Sequence, residues 1–247
     1  MRLDLCTWPD VEHYLRHKTH IIVPIGSTEQ HGPNGLIGTD AICAQTLARS
    51  LGERLEVLVT PTLAIGMAQH HMAFPGTLTL RPETLLAVVR DVVESLGRHG
   101  FTHCYFVNGH GGNIPVVEAA FSAVYAGASL GSGDPSPPRC RLANWWRLPT
   151  VAELARRLYG EAEGWHATVS EVSLSWHAHP EAARDVPMQP PVAPTGPIFD
   201  ARAFRRRFPD GRMGSNPSLA SAEDGARFHE VAVAALAEDF QTFVVQA

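Results

Sequence analysis

The chain has 247 residues, 45% of them hydrophobic and 18% charged, with a formal net charge of −5. That balance belongs to a globular chain and not a disordered one. Its mild acidity argues against a protein built to grip nucleic acid or an anionic membrane, because the densest basic run, Arg205-Arg206-Arg207, is short and has no aromatic readout set beside it.

The N-terminus, Met1 to His20, is too polar for a signal peptide, and no apolar run reaches the ~18 residues needed to span a bilayer. A cytoplasmic location is the expectation. Ile21 to Ile25 reads as a buried strand, followed by Gly26-Ser27-Thr28-Glu29-Gln30-His31-Gly32-Pro33 and, after a Gly-rich loop, Thr39-Asp40. In an extended chain Glu29 and His31 stand two apart and point to the same side. Asp40 precedes an amphipathic stretch, Ala41 to Leu55, so its carboxylate is expected at a helix N-terminus facing back toward the strand end. Ligands of open α/β sheets collect at that edge.

Val57 to Ile65 reads as a strand, with Pro61 implying an edge or a bend. His70 and His71 either line a pocket or pack against the turn Phe74-Pro75-Gly76. Arg81-Pro82-Glu83 opens a helix to about Arg98, with Gly100 after its end. Phe101 to Val107 is a second apolar run, and Asn108-Gly109-His110-Gly111-Gly112-Asn113 follows it ahead of a helix over Ile114 to Ala126. Strand, Gly-rich turn with one imidazole, helix: the unit recurs, and its glycines let the backbone approach a ligand closely. An anion-cradling loop is the competing reading. No Walker-type Lys follows, and the spacing is not that of a dinucleotide loop.

Gly127 to Pro138 reads as a surface loop, Arg141 to Asn144 as a strand and Val151 to Tyr159 as a helix. Trp145 and Trp146 are either pocket wall or ordinary core. His177 and His179 look like the polar end of a helix stopped by Pro180. The Pro-rich stretch Met188 to Pro197 reads as an arm or subunit contact, and a last helix runs from Ala222 to about Phe240 with Ser221 as its N-cap. His13, His17, His99 and His229 sit in polar or helical contexts and read as surface residues. Cys6, Cys43, Cys104 and Cys140 form no Cys-x-x-Cys pair, which removes zinc-knuckle and redox motifs; Cys43 and Cys104 read as reduced core residues. Alternating strand and helix signals define an α/β chain with a mostly parallel sheet covered on both faces, and the length suits one domain over residues 1–247.

The blocks Gly26 to Pro33 with Thr39-Asp40, His71 with Phe74-Pro75-Gly76-Thr77, Asn108 to Asn113, and Gly214-Ser215-Asn216-Pro217 with Ala220-Ser221-Ala222-Glu223 resemble, in content and order, the creatininase family of metal-dependent amidohydrolases, which includes the mycofactocin-precursor-peptidase-like members. The resemblance implies a three-layer α/β/α sandwich, a two-metal site, hydrolysis of a C–N bond in an amide or cyclic amide, and a hexamer. Carried over by position, it places metal ligands on Glu29, His31, Asp40 and His110, with Asp40 bridging. Creatinine-hydrolysing members carry a Glu where this chain has Gly112, whereas others carry one inside a block beginning His-Ala-Gly. The nearest match to that block is His166 to Ser173, which departs from it at Thr168 and Val172. Glu171 is therefore the expected fifth ligand, and the missing carboxylate at Gly112 argues against creatinine as substrate. His166 is the expected general acid or proton shuttle, since imidazole titrates near working pH.

Two imidazoles and three carboxylates suit Zn, Mn or Fe(II) and suit soft thiophilic ions poorly. Three functions from different classes fit such a set: a dinuclear amidohydrolase acting on a small amide or cyclic amide, a peptidase trimming a short precursor peptide in cofactor maturation, and a non-catalytic metal- or ligand-binding protein. The intact His166 weighs against the last. Ester and phosphoester hydrolysis use similar metal pairs.

Overall fold

Strand β1 (His20–Ile25) fills the buried run, and in the computed structural model it pairs in parallel with β2 (Leu58–Val59) on one side and β3 (His103–Asn108) on the other. β4 (Arg139–Asn144) pairs in parallel with β3, giving the order β2-β1-β3-β4. The helices are α1 (Trp8–Leu15), α2 (Thr39–Leu55), α3 (Pro82–Arg98), α4 (Ile114–Ser129), α5 (Pro149–Tyr159), α6 (Val169–Ala178), α7 (Ala201–Arg207) and α8 (Ala222–Val245). The structure describes residues 1–131, 134 and 136–245, so part of the loop expected over 127–138 lies outside the described residues, and its first three positions continue α4.

Strand side chains alternate between the two faces. Ile21, Val23, Ile25, Cys104 and Phe106 pack against Leu85, Val89, Val93 and Leu96 of α3 and Val117, Phe121 and Val124 of α4. The other face presents Ile22, Tyr105, Val107 and Ala143 to Leu47 and Leu51 of α2, Leu154 of α5, Leu174 of α6 and Phe228, Leu236 and Phe240 of α8. The result is a three-layer α/β/α sandwich with a parallel sheet. Each fully buried aliphatic side chain in these layers contributes roughly 1.5–3 kcal/mol, which holds the carboxyl ends of the strands, and the loops leaving them, on a rigid platform.

The strand expected over Val57 to Ile65 is mostly absent: β2 covers only Leu58 and Val59, at the sheet edge. Two prolines account for this. Ile22 O and Pro24 O accept from Thr60 N–H and Leu63 N–H, but Pro24 has no N–H to return on that side, and Pro61 interrupts the partner chain at the same level. The Pro-rich stretch 188–197, expected as an arm or subunit contact, is anchored to its own chain. The buried Arg212 guanidinium donates to the carbonyls of Pro190 and Pro191, and Ala193 N–H donates to Ser215 O. His229, read as a surface residue, is half-buried and bonded to Ser50. No helix among the described residues is long and apolar enough to cross a membrane.

Candidate metal centre

Past β1, the chain from Ser27 to His31 stays extended because it is held on both sides: Glu29 N–H donates to Ile37 O at 2.8 Å, and Leu78 N–H donates to Thr28 O at 2.8 Å. Glu29 and His31 consequently turn the same way. Asp40 stands in the first turn of α2, which begins two residues ahead of Ala41. That helix seats directly on the loop after β3: a Cβ on Gly109 would lie 2.1 Å from Asp40 O. The same loop is clamped by Asn108, whose side chain accepts from His110 N–H and donates to His110 O. Glu171 lies in the first turn of α6, where it closes a capping box with Thr168.

These elements bring all five carboxylate and imidazole residues singled out in the sequence, together with His166, into one cluster. Asp40 addresses an imidazole with each oxygen: Oδ1 is 2.9 Å from His31 Nε2 and Oδ2 is 2.9 Å from His110 Nδ1. Glu29 Oε2 lies 3.3 Å from His110 Nε2, and Glu171 Oε1 lies 3.8 Å from His31 Nε2. His166 Nδ1 is 3.8 Å from Glu29 Oε1. Among the described residues three combinations bring ligand atoms within 4.8 Å of one another: Glu29 with His31 and Asp40, His31 with His166 and Glu171, and Glu29 with His71 and His166.

The donor set fits a divalent cation. Glu29 Oε1, Asp40 Oδ2 and His71 Nε2 are buried and make no well-directed hydrogen bond, although Asp40 Oδ2 lies 2.9 Å from His110 Nδ1 and Glu29 Oε1 lies 3.2 Å from His71 Nε2; buried polar atoms are nearly always properly paired. Their convergence marks a place where something other than a protein hydrogen bond satisfies them. The outer nitrogens of both imidazoles are already engaged: His31 Nδ1 lies 3.1 Å from Glu29 O, and His110 Nε2 lies 2.8 Å from Met67 O. Such bonds orient a ring and aim its other nitrogen inward, as metal-ligating imidazoles require.

The electrostatics agree. Burial alone pulls His31 and His110 down, but the carboxylates outweigh it, chiefly Asp40 for His31 and Glu29 with Asp40 for His110, and raise them to about 10 and about 9. Burial opposes ionisation of Asp40, yet His31 and His110 hold it well below the usual carboxylate range. Burial, reinforced by Asp40 and resisted by His31, pushes Glu171 up to about 7. His166 and His71 lie far below the ordinary imidazole value, through burial first and neighbouring imidazoles second.

Two residues of the cluster are not singled out as site residues by the sequence. Gln30, between Glu29 and His31, is buried and its amide reaches both His71 and His166 at 2.8 Å. Ser27 donates to Glu29 Oε2 at 2.7 Å. Of the two readings of His70 and His71 the pocket reading holds: both line the cavity, His71 Nε2 lies 3.2 Å from Glu29 Oε1, and both rings pack on Phe204, which itself meets Phe74 of the turn. The tryptophans divide, Trp145 into the core and Trp146 onto the cavity wall. That cavity has a volume of about 890 Å³ and runs from Asp40, His110 and Glu171 outward between α5 and the segment 192–198.

Sheet edge, buried carboxylate–imidazole cluster and adjoining cavity define a class, the metal-dependent hydrolases, and the family match gives the bond, a C–N bond. The family model described as "Creatininase: Creatinine amidohydrolase" matches residues 4–240. The creatinine amidohydrolase of Pseudomonas putida is 28% identical over 231 residues, 88% of this chain and 87% of that protein. The mycofactocin precursor peptide peptidase of Mycobacterium tuberculosis (strain ATCC 25618 / H37Rv) is 31% identical over 185 residues, 62% of this chain and 73% of that one. A mutant creatininase of Zn–Zn type shares the fold with a TM-score of 0.85 and 23% identity, covering 98% of this chain and 97% of that chain. The chain belongs to the creatininase family.

Proposed function

We propose that Glu29, His31, Asp40, His110 and Glu171 hold two divalent ions, Zn or Mn with Fe(II) as the third candidate, and that the chain uses them to hydrolyse a small amide or cyclic amide other than creatinine. The observation that carries this reading is Asp40, whose two oxygens stand 2.9 Å from imidazole nitrogens of two different residues and so suit a carboxylate shared between two ions. Bound ions of this kind lower the pKa of water and stabilise charge developing on an attacked carbonyl oxygen. Ser27 orients Glu29 beside them. His166, stacked on His71 at 4.2 Å and facing the cluster, moves the proton: water oxygen joins the carbonyl carbon, the C–N bond breaks, and the water's proton ends on the leaving nitrogen.

A second reading, hydrolysis of a short peptide, draws support from the cavity, which at about 890 Å³ extends well beyond the cluster along α5 and 192–198. The large apolar side chains Trp165 and Phe199 are 76% and 71% exposed in the single chain, and Trp165 borders that cavity. They support a closed homo-oligomer, for which the family resemblance implies a hexamer.

The test is chelation followed by reloading with Zn or Mn, assayed on a panel of amides, lactams and short peptides. Activity is expected to vanish and return. Full turnover by metal-free protein would contradict the reading.

A further inference from the structure

Gln30 is buried between the two rings that flank Glu29, and its amide orientation is set by the backbone. Oε1 accepts from Gly32 N–H at 2.9 Å, and Nε2 donates to Gly211 O at 2.9 Å, so a flipped amide would face a donor with a donor and an acceptor with an acceptor. One amide proton remains. Two imidazole nitrogens compete for it at 2.8 Å, His71 Nδ1 and His166 Nε2. His166 Nε2 also lies 2.9 Å from the main-chain oxygen of Gln30.

Only one allocation satisfies every group around the Gln30 amide, namely His71 Nδ1, His166 Nε2 and Gln30 O. If His166 carries its proton on Nε2, it donates to Gln30 O, and the spare amide proton goes to His71 Nδ1. The opposite choice gives the amide proton to His166 Nε2, strips Gln30 O of its imidazole donor and leaves His71 Nδ1 unpaired in a buried position. We infer that Gln30 is a positioning residue that fixes both histidines as Nε2–H tautomers. His71 then carries its proton on Nε2, the nitrogen 3.2 Å from Glu29 Oε1, and has no lone pair there to compete for a metal. His166 then turns the lone pair of Nδ1 toward Glu29 and the cavity, so it enters the reaction as proton acceptor and becomes the donor only after taking a proton from water. Gly211 keeps this cradle tight, because a Cβ there would lie 1.8 Å from Gln30 Oε1.

The role of Gln30 rests on His166 as the proton carrier, but its first test does not depend on turnover. Neutron diffraction from deuterium-exchanged crystals of the zinc-loaded protein should show deuterium on Nε2 of His71 and of His166 and none on either Nδ1. Deuterium on Nδ1 of either ring would overturn the inference, whereas the expected map from an enzyme inactive on every amide would overturn the functional reading alone. Gln30→Glu replaces the spare donor with an acceptor. It should move the His71 proton to Nδ1 and lower kcat by about 10²-fold or more, with KM and zinc content close to wild type. Wild-type kcat in a folded Gln30→Glu protein would also overturn it. Should that variant fail to fold, the wild-type neutron map decides.

Discussion

A side chain on Gly112 would collide with His110: the first added carbon would sit 2.4 Å from His110 Nε2. It would also lie 2.6 Å from Met67 O, the acceptor that His110 Nε2 approaches at 2.8 Å. Gly112→Ala should therefore turn the His110 ring and weaken zinc binding by about 10–100-fold, the usual worth of a bond that orients a ligand. Titration against a competing chelator measures it. Unchanged affinity would show that His110 is not held by that bond.

The same crowding bears on substrate choice. A carboxylate at position 112 would have to displace His110 or the Met67 carbonyl, and the acidic side chain nearest His31 after Asp40 comes instead from α6, as Glu171. Creatinine should be at best a poor substrate when kcat/KM is compared across metal-saturated assays of cyclic and linear amides. Creatinine leading the panel by more than about tenfold, roughly 1.4 kcal/mol of transition-state stabilisation, would reverse that inference.

The charge balance predicts a pH signature for the metal-free protein. His31 and His110 are raised from 6.5 to about 10 and about 9, so their contribution to stability is complete below about pH 6.5 and is lost as pH rises through those values. Glu171, raised from 4.5 to about 7, acts in the same direction. The depressed carboxyl of Asp40 contributes oppositely, with stability lost only in strong acid. Tm of chelated protein should fall between pH 6.5 and 10 more steeply than that of zinc-loaded protein, and zinc uptake near pH 7.5 should release about two protons. A flat or rising Tm in that window, or uptake without proton release, would contradict this balance.

His166→Ala separates proton transfer from metal binding. Turnover should fall by about 10²–10⁴-fold with metal content unchanged. Because His166 belongs to two of the three groupings able to hold a cation, loss of metal in this variant would reassign it as a ligand.

Much of this arrangement is legible in the sequence. The apolar runs ending at Ile25 and Val107, each followed by a Gly-bearing loop with a His, lead to neighbouring strands and to one sheet edge. α6 is harder to read because it is buried nearly all round, from Val169 to Trp176, and shows no amphipathic stripe. Its one local signal is the capping pair Thr168 and Glu171. Gln30 escapes notice for a different reason, since its partners His71, His166 and Gly211 are far away in the chain and only folding brings them together. The shortened β2 follows from Pro24 and Pro61 lying opposite one another, a relation that appears only once the pairing is known.

The most direct measurement is anomalous diffraction at the zinc edge from zinc-loaded crystals of the wild type and of Asp40→Asn. Two peaks per chain are expected on either side of Asp40, one beside Glu29 and His110 and the other beside His31 and Glu171, with at least one lost in the variant. A single wild-type peak, or two peaks remote from Asp40, would contradict a shared two-ion site.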